Sequence, residues 1–190
     1  MTINRLTING YGQVELNNAA FRRDGRIEAQ CAPDTTTDFS KNEMIENGMI
    51  LAVDALNRTL HLPTNAANLP CALVYSAEHL YDERATGLKD FALKSKDDFL
   101  PRLGYLAKGD KYTTNCVEYD TTNFSNEATF LSALTLLKTT EQYGEVDAET
   151  GIVEIKPSLS QTPVGPTFRV IEYTTMPDGQ KAVKLQVMSE

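Results

Sequence analysis

Residues 168–187 read FRVIEYTTMPDGQKAVKLQV. Phe168, Val170 and Glu172 alternate with Arg169, Ile171 and Tyr173, and Val183, Leu185 and Val187 alternate with Lys184 and Gln186. Successive side chains of a strand point to opposite faces, so a period of two gives each strand one apolar and one solvated face. Met176-Pro177-Asp178-Gly179 supplies the turn between them, because Pro presets φ and Gly accepts the left-handed conformation. The stretch predicts a β-hairpin.

The same grammar extends upstream. Gly151 to Ile155 predicts a short strand stopped by Pro157, and the three prolines in 157–166 predict a rigid extended loop. Phe130, Leu131, Leu134 and Leu137 recur at helical spacing. Ser125 or Asn126 can cap that helix, Glu127 suits the positive end of its dipole, and it is expected to end near Lys138. Strands are expected at Arg102 to Leu106 and Lys111 to Tyr119, with Lys108-Gly109-Asp110 as the turn between them. Residues 78–99 are charged and mixed, which suits a surface loop carrying a short helix. A strand is expected at Ala72 to Ser76, and a hairpin is expected from Met49–Val53 and Leu60–Leu62 around Asp54 to Arg58. Asp24-Gly25 marks a turn, so residues 12–31 read as a hairpin or an extended arm, and Gln30 to Asn42 as a polar, Thr-rich linker.

Many short strands, frequent turns, one helix and no βαβ rhythm predict a mainly β protein: a small β-barrel or β-sandwich with an inserted helix near 126–138. The expected organisation is an N-terminal arm and linker over 1–40 and a β-rich domain over 41–190.

The chain has 190 residues, 18 Lys+Arg against 26 Asp+Glu, and a net charge of −8. That balance excludes broad nucleic-acid binding, which needs clustered positive charge to displace counterions. Met49 to Val53 and Cys71 to Tyr75 are far too short to span a bilayer, so no membrane partner is expected. MTINRLTING has no apolar signal region. Cys31, Cys71 and Cys116 are widely spaced and odd in number, which predicts reduced thiols and synthesis in a reducing cytoplasm rather than a disulfide framework or a zinc knuckle. Without a secretory signal, the glycosylation patterns at Asn57 and Asn123 are read as chance.

Chemical motifs fail on inspection. Gly104 to Gly109 has the spacing of half a P-loop, but Asp110 stands where Lys should meet the phosphates. Gly10-Tyr11-Gly12 lacks the third glycine of a dinucleotide fingerprint; position 15 is Glu15. Asp147 to Gly151 lacks the acidic spacing of a calcium loop. His61 is read as facing outward from a strand, and His79, Asp82 and Glu83 as ordinary surface charge. Asp97 and Asp98 are adjacent, and on a strand they would diverge. No catalytic residue, no cofactor and no metal site is expected. Arg22 and Arg23 beside Phe21 are either hairpin surface or an anchor for an acidic partner, since Arg and aromatics are favoured at interfaces.

Five phrases follow in order: ELNNAAFRRDGRIEAQC, ENGMILAVD, ALVYSAEHLYDE, FLPRLGYLAKGDKYTTN and FRVIEYTTMPDGQKAVKLQVMSE. From about residue 12 to the end, the chain resembles the small capsid decoration (cement) proteins of tailed bacteriophages. Gly48 with its following strand, and Gly109-Asp110 with Lys111 to Asn115, resemble that family's Gly-led barrel strands. Residues 78–100 and 126–138 resemble insertions beyond its smallest members. The resemblance implies a β-tulip-like body on the outer surface of the expanded phage head, where a homotrimer clamps neighbouring subunits of the major capsid protein. It implies that residues 1–31 form an arm that touches the shell. Val14, Leu16 and Phe21 would then be apolar anchors, and Arg22, Arg23 and Arg26 would make charge-assisted hydrogen bonds.

Two other readings stay open. One is a different phage structural component, such as a tail, neck, baseplate or head-fibre adaptor, which copy number separates from a lattice-wide cement. The other is an enzyme or small-ligand binder in a β-barrel, which requires a concave pocket with converging polar groups.

Overall fold

The computed structural model describes residues 4–15, 19–20, 29–39, 44–65, 68–76, 92 and 100–189. In chain order its strands are β1 (Ala29–Gln30), β2 (Ala32–Pro33), β3 (Ile50–Asp54), β4 (Thr59–His61), β5 (Cys71–Val74), β6 (Arg102–Gly104), β7 (Lys111–Thr114), β8 (Val117–Tyr119), β9 (Tyr143–Val146), β10 (Val153–Lys156), β11 (Thr167–Thr175) and β12 (Lys181–Ser189). The helix α1 spans Glu127–Leu134. They form two six-stranded sheets, ordered β1-β6-β5-β3-β4-β2 and β7-β12-β11-β9-β10-β8. The protein is therefore mainly β, a small barrel or sandwich with one short helix among the described residues. That helix is too short to cross a membrane.

Both sheets curl for the same reason. The end strands of the first, β1 and β2, are separated only by Cys31; those of the second, β7 and β8, only by Asn115 and Cys116. Each ladder thus begins and ends on one kinked stretch, which bends the strands between into a half-barrel.

The terminal hairpin forms as its pattern predicts, with one change of phase. Phe168 faces Val187 and Val170 faces Leu185, all with buried side chains. A register shift between Val170 and Glu172 leaves Ile171 unpaired and exposed. Such a bulge places one extra residue in the strand. Beyond it Tyr173, not Glu172, faces Val183 and packs on the core. At the turn, Gly179 has φ +86° and its N–H donates to the Met176 carbonyl at 2.8 Å.

The run Met49-Ile-Leu-Ala-Val53 is apolar throughout because its strand is buried on both faces. Ile50 of β3 and Leu73 of β5 enter one core with Tyr112, Phe130 and Phe168. Leu51, Val53, Ala72 and Val74 enter the other, with Leu60, Leu103 and Ile152. Strands β3 and β5 are the wall shared by the two cores.

The helix begins as expected. Asn126 Oδ1 accepts the Thr129 N–H at 3.0 Å, and Thr129 Oγ1 accepts the Asn126 N–H at 3.2 Å. Phe130 stacks on Tyr119 with ring centroids 5.1 Å apart. The helix ends at Leu134, earlier than the expected Lys138, and residues 135–139 continue as turns. Beyond the helix Leu137 still packs against the first core, whereas Leu136, off the apolar stripe, is 54% exposed.

Other expectations change. Strands β6 and β7 lie in different sheets, so the turn at Lys108-Gly109-Asp110 passes between sheets and closes no hairpin. The expected single strand Lys111 to Tyr119 breaks into β7 and β8. Strand β9, which the sequence did not suggest, pairs with β10 and β11. The expected loop and helix at 78–99, residue 92 apart, and the turn at Asp24-Gly25 lie outside the described residues.

The described part of the expected arm lies against the body. Arg5 pairs with Glu118, Val14 with Thr114 and Ala20 with Lys111, all antiparallel. The Leu6 N–H donates to Val117 O at 3.1 Å, and the Glu15 N–H to Thr113 O at 2.9 Å. This segment therefore flanks the free sides of β7 and β8, covering the backbone groups that an end strand leaves unpaired.

Candidate functional site

The six residues expected to touch a partner fall into two groups. Val14 has no exposed surface; it sits in the first core, and Thr114 Oγ1 donates to the neighbouring Gln13 carbonyl at 2.6 Å. Its side chain packs inside the body, where residue 14 bridges Thr114 of β7. Leu16, Phe21, Arg22, Arg23 and Arg26 lie outside the described residues.

Arg5, which the sequence did not single out, anchors this segment. Its Nη1 donates to Glu46 Oε1 at 2.9 Å and its Nη2 to Glu46 Oε2 at 2.8 Å. Glu46 Oε2 also accepts the Gly12 N–H. One carboxylate just ahead of β3 thus holds the chain at two points. Cys116 lies beside this pair, and Arg5 Nη2 approaches its Sγ at 3.6 Å. Burial pushes the Cys116 thiol up to about 12, so it stays protonated and inert. Glu118, on the adjoining strand, is pushed up to about 7 by burial and by the charge of Asp147.

A second polar cluster forms where the expected linker meets the body. His61 closes β4, and its Nδ1 lies 2.9 Å from Asp38 Oδ2 and 3.5 Å from Asp34 Oδ2. Its Nε2 lies 2.9 Å from Thr59 Oγ1. With its proton on Nδ1, the ring donates to Asp38 and accepts the Thr59 hydroxyl proton. Asp34 Oδ1 accepts the Thr36 N–H at 2.8 Å and the Thr36 hydroxyl at 2.6 Å, and these bonds hold its carboxyl below the usual range. The Asp38 side chain has no exposed surface. His61 therefore does not simply face outward; it is engaged by the loop. No fixed spacing announces this cluster. It forms because β2 pairs parallel with β4, Ala32 opposite Thr59 and Pro33 opposite Leu60, which sets residue 34 and the loop after it beside residue 61.

The rejected motifs have structural uses. Asp110 Oδ2 accepts the Ala107 N–H at 2.8 Å. Asp147 Oδ1 accepts the N–H groups of Glu149 at 2.8 Å and Thr150 at 3.1 Å. Both carboxylates brace turns. His79, Asp82, Glu83, Asp97 and Asp98 lie outside the described residues. Comparison with protein-family models, with curated proteins and with solved structures finds no match to this chain.

Proposed function

We propose that this chain is a non-catalytic structural virion protein, a decoration protein that binds the outside of a tailed-phage head and stabilises the expanded shell by clamping adjacent major capsid subunits. The observation that carries this reading is the ordered set of five phrases from residue 12 to the end that resembles such proteins. The mainly β architecture is consistent with it.

Physical considerations support the role. A clamp needs stiffness and shared area, not a reactive group. Two cores with β3 and β5 as a common wall make a body that resists shear. Each contact can be modest, because many copies on one lattice multiply it. A net charge of −8 keeps abundant copies apart before assembly. The proposed partner is the major capsid protein, met by a homotrimer. Leu16 and Phe21 are the proposed apolar contacts, and Arg22, Arg23 and Arg26 the charged ones. The chain would be made in the host cytoplasm and then join the outer capsid surface, with no nucleic-acid or membrane partner.

Quantitative mass spectrometry of purified virions tests this, counting the chain against the major capsid protein. A ratio of about one copy per capsid subunit is expected for lattice-wide placement. A ratio of roughly a few per cent would move the chain to the tail, neck, baseplate or a head fibre, where axial parts occur in small numbers. Absence from virions would overturn both.

A further inference from the structure

We propose that Asp34, Asp38 and His61 bind a divalent transition-metal ion of the zinc class, which clasps the 34–38 loop onto β4. The inference is independent of the capsid reading and rests on three features of the cluster.

The first is convergence. One ligand atom from each of the three side chains lies within 4.8 Å of the other two. His61 Nδ1 is 2.9 Å from one carboxylate oxygen and 3.5 Å from the other. Zinc holds nitrogen and oxygen ligands at about 2.0–2.2 Å, so ligand atoms sharing one ion stand about 3.0–3.5 Å apart in octahedral or tetrahedral geometry. The Nδ1-to-carboxylate spacings match the edges of such a polyhedron.

The second is the donor set. Calcium and magnesium are hard ions that take oxygen ligands, whereas an imidazole nitrogen with carboxylates suits zinc and its neighbours. Two carboxylates would balance the charge of a dication. Three protein ligands leave a position for water.

The third is preorganisation. With Nδ1 on the ion the ring proton sits on Nε2, which then donates to Thr59 Oγ1, 2.9 Å away, in place of accepting from it; this is the orienting hydrogen bond that metal-bound imidazoles commonly make. Thr36 fixes Asp34 through two hydrogen bonds. Backbone bonds fix the loop between them: the Asp34 N–H donates to Leu60 O at 3.0 Å, and the Phe39 N–H to Asp34 O at 2.9 Å. Phe39 is itself buried in the second core.

The location gives the clasp a purpose. Asp34 and Asp38 belong to the segment that leads from residues 1–33 into the body, and His61 belongs to the body. Only two residue pairs join β2 to β4. An ion bound across that junction would tighten it where the backbone pairing is short.

The test uses the full-length chain, stripped with a chelator and then titrated with Zn2+ alone by calorimetry. Visible absorption with Co2+ serves as a coordination probe. We expect one saturable equivalent per chain and a higher thermal midpoint with Zn2+ than with chelator. Asp34→Asn and His61→Gln should each weaken binding by about tenfold or more, and Thr59→Val should weaken it while keeping one equivalent. Asp34 lies at the surface edge of the cluster, so Asp34→Asn reports on binding even if His61→Gln unfolds. No saturable equivalent in the full-length chain would overturn the proposal. Zn2+ binding unchanged in Asp34→Asn would do the same, since the ion would then sit elsewhere.

Discussion

Arg5 meets Glu46 in a two-pronged pairing, Nη1 to Oε1 at 2.9 Å and Nη2 to Oε2 at 2.8 Å. The Arg5 and Glu46 side chains are only 21% and 11% exposed. Removing one partner of a largely buried pair leaves the other charge without compensation, at a cost of about 3–5 kcal/mol. Glu46 also accepts the Gly12 N–H, so its loss strips two fastenings at once. Glu46→Gln should therefore lower stability by about 3 kcal/mol, read as a reduced urea midpoint. A change within about 0.5 kcal/mol would mean that the pair is a surface contact of little weight.

Glu118 makes stability fall with rising pH. Its carboxyl, ordinarily near 4.5, is pushed up to about 7, first by burial and then by Asp147. Between those values the folded state holds the proton more tightly than the unfolded chain. Its contribution is fully present below the unfolded value and is lost as pH rises through about 7. From pH 5 to pH 8 the loss is about 2–3 kcal/mol. Glu118→Gln keeps the shape and removes the titration. The variant should thus gain on the wild type by about that amount between those pH values, measured by urea unfolding at each. Parallel stability curves for the two proteins would show that Glu118 ionises normally.

What the sequence revealed was local. The 168–187 hairpin was legible because alternation, Pro177 and Gly179 all lie within one short stretch. The cap at Asn126 was legible for the same reason. Strand β9 was hidden because Gly144 breaks its alternation. The structure needs that glycine, since a Cβ there would lie 2.6 Å from Val153 Cγ1. Met49 to Val53 announced a hairpin strand but not that it is buried on both faces, which serve different cores. Arg5 with Glu46, and Asp34 and Asp38 with His61, depend on strand neighbours far apart in the chain. Neither spacing nor composition encodes such neighbours.

Two glycines with positive φ should respond differently to alanine. At Gly48, φ is +99° and a Cβ would lie 2.5 Å from Cys116 Cβ and 2.7 Å from Thr114 Oγ1. The clash involves packed atoms between the two cores, so strain and overpacking add. Gly48→Ala should cost about 3 kcal/mol or more. At Gly179, φ is +86° but no atom lies within 4 Å of the added Cβ. Gly179→Ala should cost only about 1–2 kcal/mol, the backbone term alone. Thermal midpoints check the order, at about 2–4 °C per kcal/mol for a chain of this size. Equal shifts would show that the contacts around Gly48 relax freely.

The N-terminal segment should behave as part of the folded body over residues 4–15. Leu6 and Val14 are 1% and 0% exposed and belong to the first core. Each buried apolar side chain is worth about 1.5–3 kcal/mol, and removing both also leaves Glu46 without Arg5. The sum approaches the whole stability of an ordinary domain, about 5–15 kcal/mol. Deleting residues 1–15 should therefore unfold the protein or leave it near its midpoint at room temperature, seen by circular dichroism. In the free full-length chain, the Leu6 and Glu15 amides should exchange slowly, because they donate to Val117 and Thr113. Fast exchange there, with a deletion variant that stays folded, would show that the segment docks only on a partner. Val14 would then return to the set of contact residues.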